Sequence, residues 1–226
     1  MDRIIPTFIV VCLIVLGYIV KLFEMKDLEE RFVFTDEYRK KFITLCNDII
    51  TRDYFNQEIY FELTSVVKNM QEELGSDGVY AYAKDNLTGI ATKNYQLLVN
   101  FLPELRTAVS EKQNSIIAMR LNKSMSDCDD MFIRHMGSLN VQKETVKKQV
   151  KNPFSCFSEG IKFIICLPIL ILNWLGLIGA SKSLKIKNNW IIKMLNSFFV
   201  IIGFIGSIIT IVIGWTQFVQ IIKNLF

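Results

Sequence analysis

Three long apolar segments constrain this chain more than any other feature of its sequence. They cover about residues 4–20, 161–181 and 195–215, and none of them contains Asp or Glu. A helix needs about 20 predominantly apolar residues to cross the hydrocarbon core of a bilayer. The sequence therefore predicts three membrane-spanning helices, of which the second and third form a hairpin.

The first segment has a second interpretation as a cleaved signal peptide. Its basic N-terminal region is reduced to Arg3, which Asp2 offsets, and no small-x-small cleavage pattern precedes the charges that begin at Lys21. A signal peptide normally has both a basic N-terminal region and such a cleavage site. A retained membrane anchor is therefore the favoured prediction.

Charge is segregated along the chain. Hydrophobic residues make up 51% of the sequence and charged residues 21%, and nearly all of the acidic residues lie between the first two apolar segments. The fold class that this arrangement predicts is all-α and multi-pass. A transmembrane anchor at 1–23 is followed by a polar helical domain at 24–152, inserted between the first and second spans. Residues 153–226 supply an interfacial lead-in and the transmembrane hairpin.

Helical spacing of apolar residues predicts a helical bundle or coiled coil within the polar domain. A helix is expected to begin at a cap on Thr35, and a second to end at the breaker cluster 75–78. A third is expected over 91–102, stopped by Pro103. Asn152-Pro153 is expected to end a long helix whose buried face carries Ile117, Leu121, Met125, Cys128, Phe132, Met136 and Leu139.

The third apolar segment carries the most regular polar pattern in the sequence. Spacings of three and four residues place its small and polar side chains on one helical face: Gly203, Gly206, Thr210, Gly214 and Gln217. The second segment has a comparable face near its end with Asn173, Gly176 and Gly179. Small residues allow close helix packing in lipid, within the hairpin or between subunits. Pore lining after self-association is the alternative interpretation.

Lysines and arginines beside the apolar segments bear on orientation. Five lie near the membrane on the side of the 182–193 loop and eight on the side of the polar domain. The excess favours a cytoplasmic domain, because cytoplasmic loops are enriched in Lys and Arg. The expected location is a bacterial cytoplasmic membrane. The net charge of +4 indicates contact with lipid headgroups, and no nucleic-acid partner is expected.

No pattern in the sequence predicts catalysis, a cofactor or a metal. The single histidine, His135, lies beside Arg134 and Met136 on a predicted helix face, where a packing or surface role is favoured over catalysis. Five cysteines occur without a Cys-x-x-Cys pair or a Cys/His cluster, and buried thiols are expected. The chain is therefore predicted not to be an enzyme.

Two resemblances to known families accompany this organisation. Leu102-Pro103-Glu104-Leu105-Arg106, followed by Phe132-Ile133 and Leu139-Asn140, is similar to the Tyr-Pro-x-Leu-Lys element and repeated Tyr-Asn pair of the LemA family. Asn140 matches one Asn of those pairs, and neither Tyr is present. This resemblance implies a membrane-anchored helical bundle. The order of spans resembles the ExbB/TolQ subunits, although their membrane carboxylate has no counterpart here, and implies oligomerisation.

These observations together predict a non-enzymatic integral membrane protein. The expected role is an oligomeric scaffold or partner-binding subunit, whose partners are the bilayer, other copies of itself and a protein bound through 24–152. The alternative is a pore- or channel-forming subunit, such as a membrane effector in bacterial conflict or defence.

Overall fold

The structure, a computed structural model, describes residues 4–84, 91–109, 115–177, 179, 189–203, 205, 206 and 209. Most of these residues are helical, in agreement with the all-α expectation at the level of fold class. Within the described ranges the elements are α1 (Ile4–Thr51), α2 (Gln57–Ser65), α3 (Val67–Leu74), a 3₁₀ turn (Gly75–Gly78), β1 (Val79–Lys84), β2 (Ala91–Gln96), α4 (Leu97–Val109), α5 (Ser115–Val150), α6 (Pro153–Trp174) and α7 (Trp190–Gly203).

The chain divides into two compact units. The terminal unit consists of residues 1–26 and 144–226, and the central unit of residues 27–143. Helices α1 and α5 each contribute residues to both. The terminal unit contains the three predicted apolar segments, and the central unit contains most of the predicted polar domain.

Helix α1 is one uninterrupted helix of 48 residues, so the prediction of a separate helix capped at Thr35 is wrong. Thr35 is fully buried, and its Oγ1 donates to the carbonyl of Arg31 at 2.9 Å. A Thr side chain can bond within a helix in this way as well as cap one. No Gly or Pro lies between Tyr18 and Thr51, so the charged residues after Lys21 continue the helix.

The segment before Pro103 also differs from its prediction. Ala91–Gln96 is a strand that pairs antiparallel with β1, bringing Tyr80 opposite Tyr95. Helix α4 starts only at Leu97 and contains Pro103 within it. The alternation of Val, Tyr and Ala in β1 is typical of a strand, but the run is short and the helical spacing of Leu97, Leu98 and Phe101 obscured the strand that precedes it.

Aromatic side chains form the centre of the central unit. Phe132 of α5 lies 5.7 Å from Tyr38 and 5.6 Å from Phe42, both of α1, measured between ring centroids. Phe42 lies 6.0 Å from Phe101 of α4. The predicted buried face of α5 is confirmed at Leu121, Met125, Cys128, Phe132 and Leu139, with Ile117 and Met136 half-buried.

Two polar side chains fix the ends of elements. Buried Gln71 of α3 donates from Nε2 to the carbonyl of Gly78 at 3.0 Å and accepts the amide of Leu98 at 3.3 Å, so it holds both ends of the β1–β2 hairpin. The Oδ1 of Asn152 accepts the amide of Phe154 at 3.0 Å and caps α6. The predicted break at Asn152-Pro153 is therefore confirmed.

Truncation of Phe132 to Ala is expected to lower the stability of the central unit by about 3–5 kcal/mol, because it leaves a cavity among three helices. Phe61→Ala is the matched control, since that ring is 58% exposed, and it should change stability little. Chemical unfolding of both variants in detergent, followed by circular dichroism, measures the difference. Equal losses would contradict the assignment of Phe132 to the core.

Candidate functional site

Many apolar side chains among the described residues of the terminal unit are exposed. Of the most apolar 18-residue stretch of α1, only 11% is buried inside the protein, and of the corresponding stretch of α6, 28%. Both helices are long and apolar enough to cross a membrane, whereas α7 is shorter over the residues described. Three spans were predicted, and two helices meet this criterion. Among the exposed apolar side chains are Phe8, Val15, Phe23, Ile164, Trp174, Leu177, Trp190, Phe198 and Ile201.

The predicted stripe of the third segment falls only partly on described residues. A Cβ placed on Gly203 would lie 2.8 Å from the Phe157 ring of α6, so the absence of a side chain allows that ring to pack there. A Cβ on Gly206 would meet nothing within 4 Å. Thr210, Gly214 and Gln217 lie outside the described residues. The stripe as an interface or pore lining stays a prediction.

Gly176 has a clear structural role at the end of α6. Its φ is +73°, a left-handed conformation that favours glycine. Its amide donates to the carbonyl of Asn173 at 3.0 Å, and that of Leu177 donates to Leu172 at 3.0 Å. This pair of bonds is the Schellman helix end. A Cβ on Gly179 would meet nothing within 4 Å, so close packing by the predicted second-segment face stays a prediction.

Close helix packing occurs instead between α1 and α6. A Cβ on Gly17 would overlap the backbone of Cys156 and lie 2.7 Å from the amide nitrogen of Gly160. A Cβ on Gly160 would lie 2.9 Å from the carbonyl carbon of Leu13. Glycines bring helix backbones together in this way when apolar helices pack in lipid. In the sequence, Gly17 is the one glycine of the first apolar segment and Gly160 directly precedes the second, but spacing along the chain does not indicate that they pair.

An ion pair accompanies this crossing. The side chain of Lys21 in α1 is only 8% exposed, and its Nζ lies 2.7 Å from Glu24 and 3.6 Å from Glu159 of α6. Glu159 also pairs with Lys162 at 3.2 Å. Because α6 begins at Pro153 rather than near 161, Glu159 belongs to a helix that is long and apolar enough to cross a membrane. The spans predicted from the sequence contain no acidic residue, because the second of them begins at 161, after Glu159.

The Asn196 side chain joins α7 to α6. Its Nδ2 donates to the Oγ of Ser158 at 3.2 Å, and its Oδ1 is buried without a partner among the described residues. A hydrogen bond from a side-chain amide between two apolar helices helps to fix the rotation of each helix about its axis.

The central unit has an open groove of about 430 Å³ between α1 and α5. At its wall, Asp129 accepts from Arg39 Nε at 2.6 Å and Nη2 at 3.1 Å. The remaining lining is apolar or neutral: Phe42, Ile43, Cys46, Asn47, Ile50, Asn122, Met125 and Ser126. The groove is suited to a partner with an apolar face.

Two buried thiols lie in or behind this groove. Burial, with a smaller effect of the Asp129 charge, raises the pKa of Cys46 to about 12. Burial likewise raises the pKa of Cys128 well above its ordinary value. Both thiols are therefore protonated at neutral pH, and a protonated thiol is a poor nucleophile. The expectation of buried thiols is confirmed for Cys46, Cys128, Cys156 and Cys166, whereas Cys12 is exposed.

His135 lies in a charged cluster that its neighbours in sequence did not reveal. It is buried at 6% exposure, and its Nε2 is 2.9 Å from Glu73 Oε1. Its Nδ1 is 3.5 Å from Asp77 Oδ2. Each ring nitrogen thus faces a different carboxylate. The two carboxylates lie on opposite sides of the ring, so they do not point towards a single shared position. The sequence interpretation of a packed histidine holds for its burial, and the two carboxylates are new.

Comparison with protein-family models, curated proteins and solved structures finds no match for this chain. The resemblances to the LemA family and to the ExbB/TolQ subunits therefore stay predictions.

We expect Gly17→Ala and Gly160→Ala each to lower the apparent unfolding temperature in detergent by several degrees, because the added methyl group collides with backbone that cannot rotate away. Gly137→Ala is the matched control. That glycine is also inside a helix, but its added Cβ would meet nothing within 4 Å, so helix propensity should leave stability unchanged or higher. Thermal scans of the three variants measure the effect, and three equal shifts would contradict the proposed crossing.

Proposed function

We propose that this chain is a non-enzymatic integral membrane protein that self-associates and binds a protein partner through its central unit. The observation that carries the proposal is the exposed apolar surface of α1, α6 and α7. The segment at 195–215 supplies the third span, and the membrane is a bacterial cytoplasmic membrane.

Contact with lipid explains the large number of exposed apolar side chains better than contact with water does. Burial of apolar surface stabilises by about 25 cal/mol per Å², and soluble monomers rarely expose apolar patches larger than a few hundred Å². Phe8 is 66% exposed, Phe23 68% and Trp174 84%, and many smaller apolar side chains lie between them along the same helices. Contact with acyl chains removes this cost without requiring a protein partner.

The Trp residues support the same arrangement. Trp174 ends α6 and Trp190 begins α7, and both are largely exposed. Tryptophan is enriched where a membrane helix meets the headgroups. The larger number of Lys and Arg beside the central unit favours a cytoplasmic location for that unit.

The central unit supplies a surface for a partner. The groove between α1 and α5 exposes Ile50 at 54%, and the nearby Met119 is 72% exposed. A groove between two helices with apolar and neutral side chains and one Arg–Asp pair at its wall is the kind of surface that receives an amphipathic helix. Glycines of the third segment provide the contact between copies.

Membrane integration is tested by a matched pair of lysine substitutions. Val15→Lys places a charge on the lipid-facing side of α1 and should reduce the fraction of protein that resists alkaline carbonate extraction, because a lysine at the centre of a membrane helix costs about 2.5–3.5 kcal/mol. Val33→Lys should not, since Val33 is comparably exposed, at 44% against 51%, but belongs to the central unit. Recovery of the wild-type chain in the soluble fraction would rule out integration.

Self-association is tested by Gly206→Leu and Gly214→Leu. Each should shift the blue-native mobility of the purified protein towards smaller species, because a bulky side chain prevents close helix packing. Gly137→Leu in α5 is the control. Unchanged mobility for both variants would show that the stripe is not an interface. Membrane depolarisation on overexpression that Gln217→Leu alters would instead favour a pore.

A further inference from the structure

The charged cluster around His135 connects four elements of the central unit. His135 of α5 is the only histidine in the sequence. Its Nε2 lies 2.9 Å from Glu73 of α3, and its Nδ1 lies 3.5 Å from Asp77 of the 3₁₀ turn. Arg31 of α1 donates from Nε to the same Glu73 carboxylate at 2.9 and 3.1 Å. Among the described residues, Glu73 and Asp77 are the charged groups recorded within 3.5 Å of the ring nitrogens, and Arg31 reaches the ring only through Glu73.

The cluster lies at the base of the β1–β2 hairpin. Asp77 precedes β1 by two residues, and the neighbouring Gly78 carbonyl is held by Gln71. The exit of the hairpin is held at the amide of Leu98 by the same Gln71 side chain. The bond between His135 and Asp77 is therefore a second attachment of the hairpin entrance, and it is the attachment that involves a titratable donor.

The number of protons on His135 decides whether both carboxylates can accept a hydrogen bond from its ring. A neutral imidazole has one N–H and one acceptor nitrogen, whereas the cation donates from both nitrogens. The neutral ring can therefore donate to Glu73 or to Asp77 but not to both. The shorter distance to Glu73, which Arg31 also holds in place, makes Asp77 the partner that is lost. Its carboxylate then faces a nitrogen lone pair, and its side chain is 46% exposed, so it can turn towards water.

We propose that protonation of His135 fastens the 3₁₀ turn and the β1–β2 hairpin to α3 and α5, which makes the hairpin a pH-responsive element of the central unit. The bond to Asp77 needs the cation, so attachment strengthens as pH falls and weakens as pH rises. Histidine is the side chain whose ordinary charge change lies between pH 5 and 8. This proposal does not depend on membrane insertion or on the partner.

Hydrogen–deuterium exchange of the full chain in nanodiscs tests the proposal. After correction for the intrinsic effect of pH on exchange, the backbone amides of 79–84 and 91–96 should exchange about threefold faster at pH 8 than at pH 5.5, since ion pairs in contact with water contribute little. The effect is this small because Asp77 is partly exposed.

Two variants and a control make the test specific. Asp77→Asn should remove the pH dependence, because an amide can accept from the protonated nitrogen and donate to the neutral one. His135→Gln removes the titrating group and should do the same. Asp130→Asn, on the exposed face of α5, should retain the wild-type ratio. A wild-type ratio near one, or a ratio that persists in Asp77→Asn, would overturn the proposal.

Discussion

The close packing of α1 against α6 is the interaction on which the terminal unit depends. Gly17 and Gly160 allow the two backbones to approach more closely than any side chain would permit, and the adjacent Lys21–Glu159 pair gives the contact a defined register. Dispersion attractions between atoms at such a crossing are individually small and add up over the length of both helices. The apolar side chains of α1 and α6 that face away from this contact are largely exposed, and both helices are long and apolar enough to cross a membrane.

The central unit depends on a different kind of contact. The hydrophobic effect packs the apolar faces of its helices together. A cluster of aromatic side chains then connects three helices: Tyr38, Phe42, Phe101 and Phe132. Arg39 and Asp129 form a two-bond ion pair at the edge of the groove. Planar pairing of this kind adds directional preference to a helix contact that apolar packing alone leaves free to slide.

Helical periodicity correctly predicted which face of a helix is buried. It failed to predict local structure where contacts with distant residues decide between a helix, a cap and a strand. The α5 stripe from Leu121 to Leu139 follows from spacing alone, because one face of a helix must be apolar to pack. Thr35 could cap a helix or bond within one, and only the helical residues before it decide between these roles. Ala91–Gln96 has little β propensity of its own and becomes a strand through pairing with β1. The partners of Gly17, Glu159 and His135 all come from distant sequence, and one sequence contains no direct record of such pairs.

The charges near the α1–α6 crossing form ion pairs. An ionisable side chain within a membrane helix often marks a transport path, and Glu159 lies in α6, a helix long and apolar enough to cross a membrane. Its carboxylate, however, is bonded to Lys162 and close to Lys21, while Lys21 also pairs with Glu24. Two cations and two carboxylates sum to zero, so this cluster holds the helix pair without presenting an unmatched charge. The cluster is therefore better suited to fixing the register of α1 and α6 than to moving ions between them.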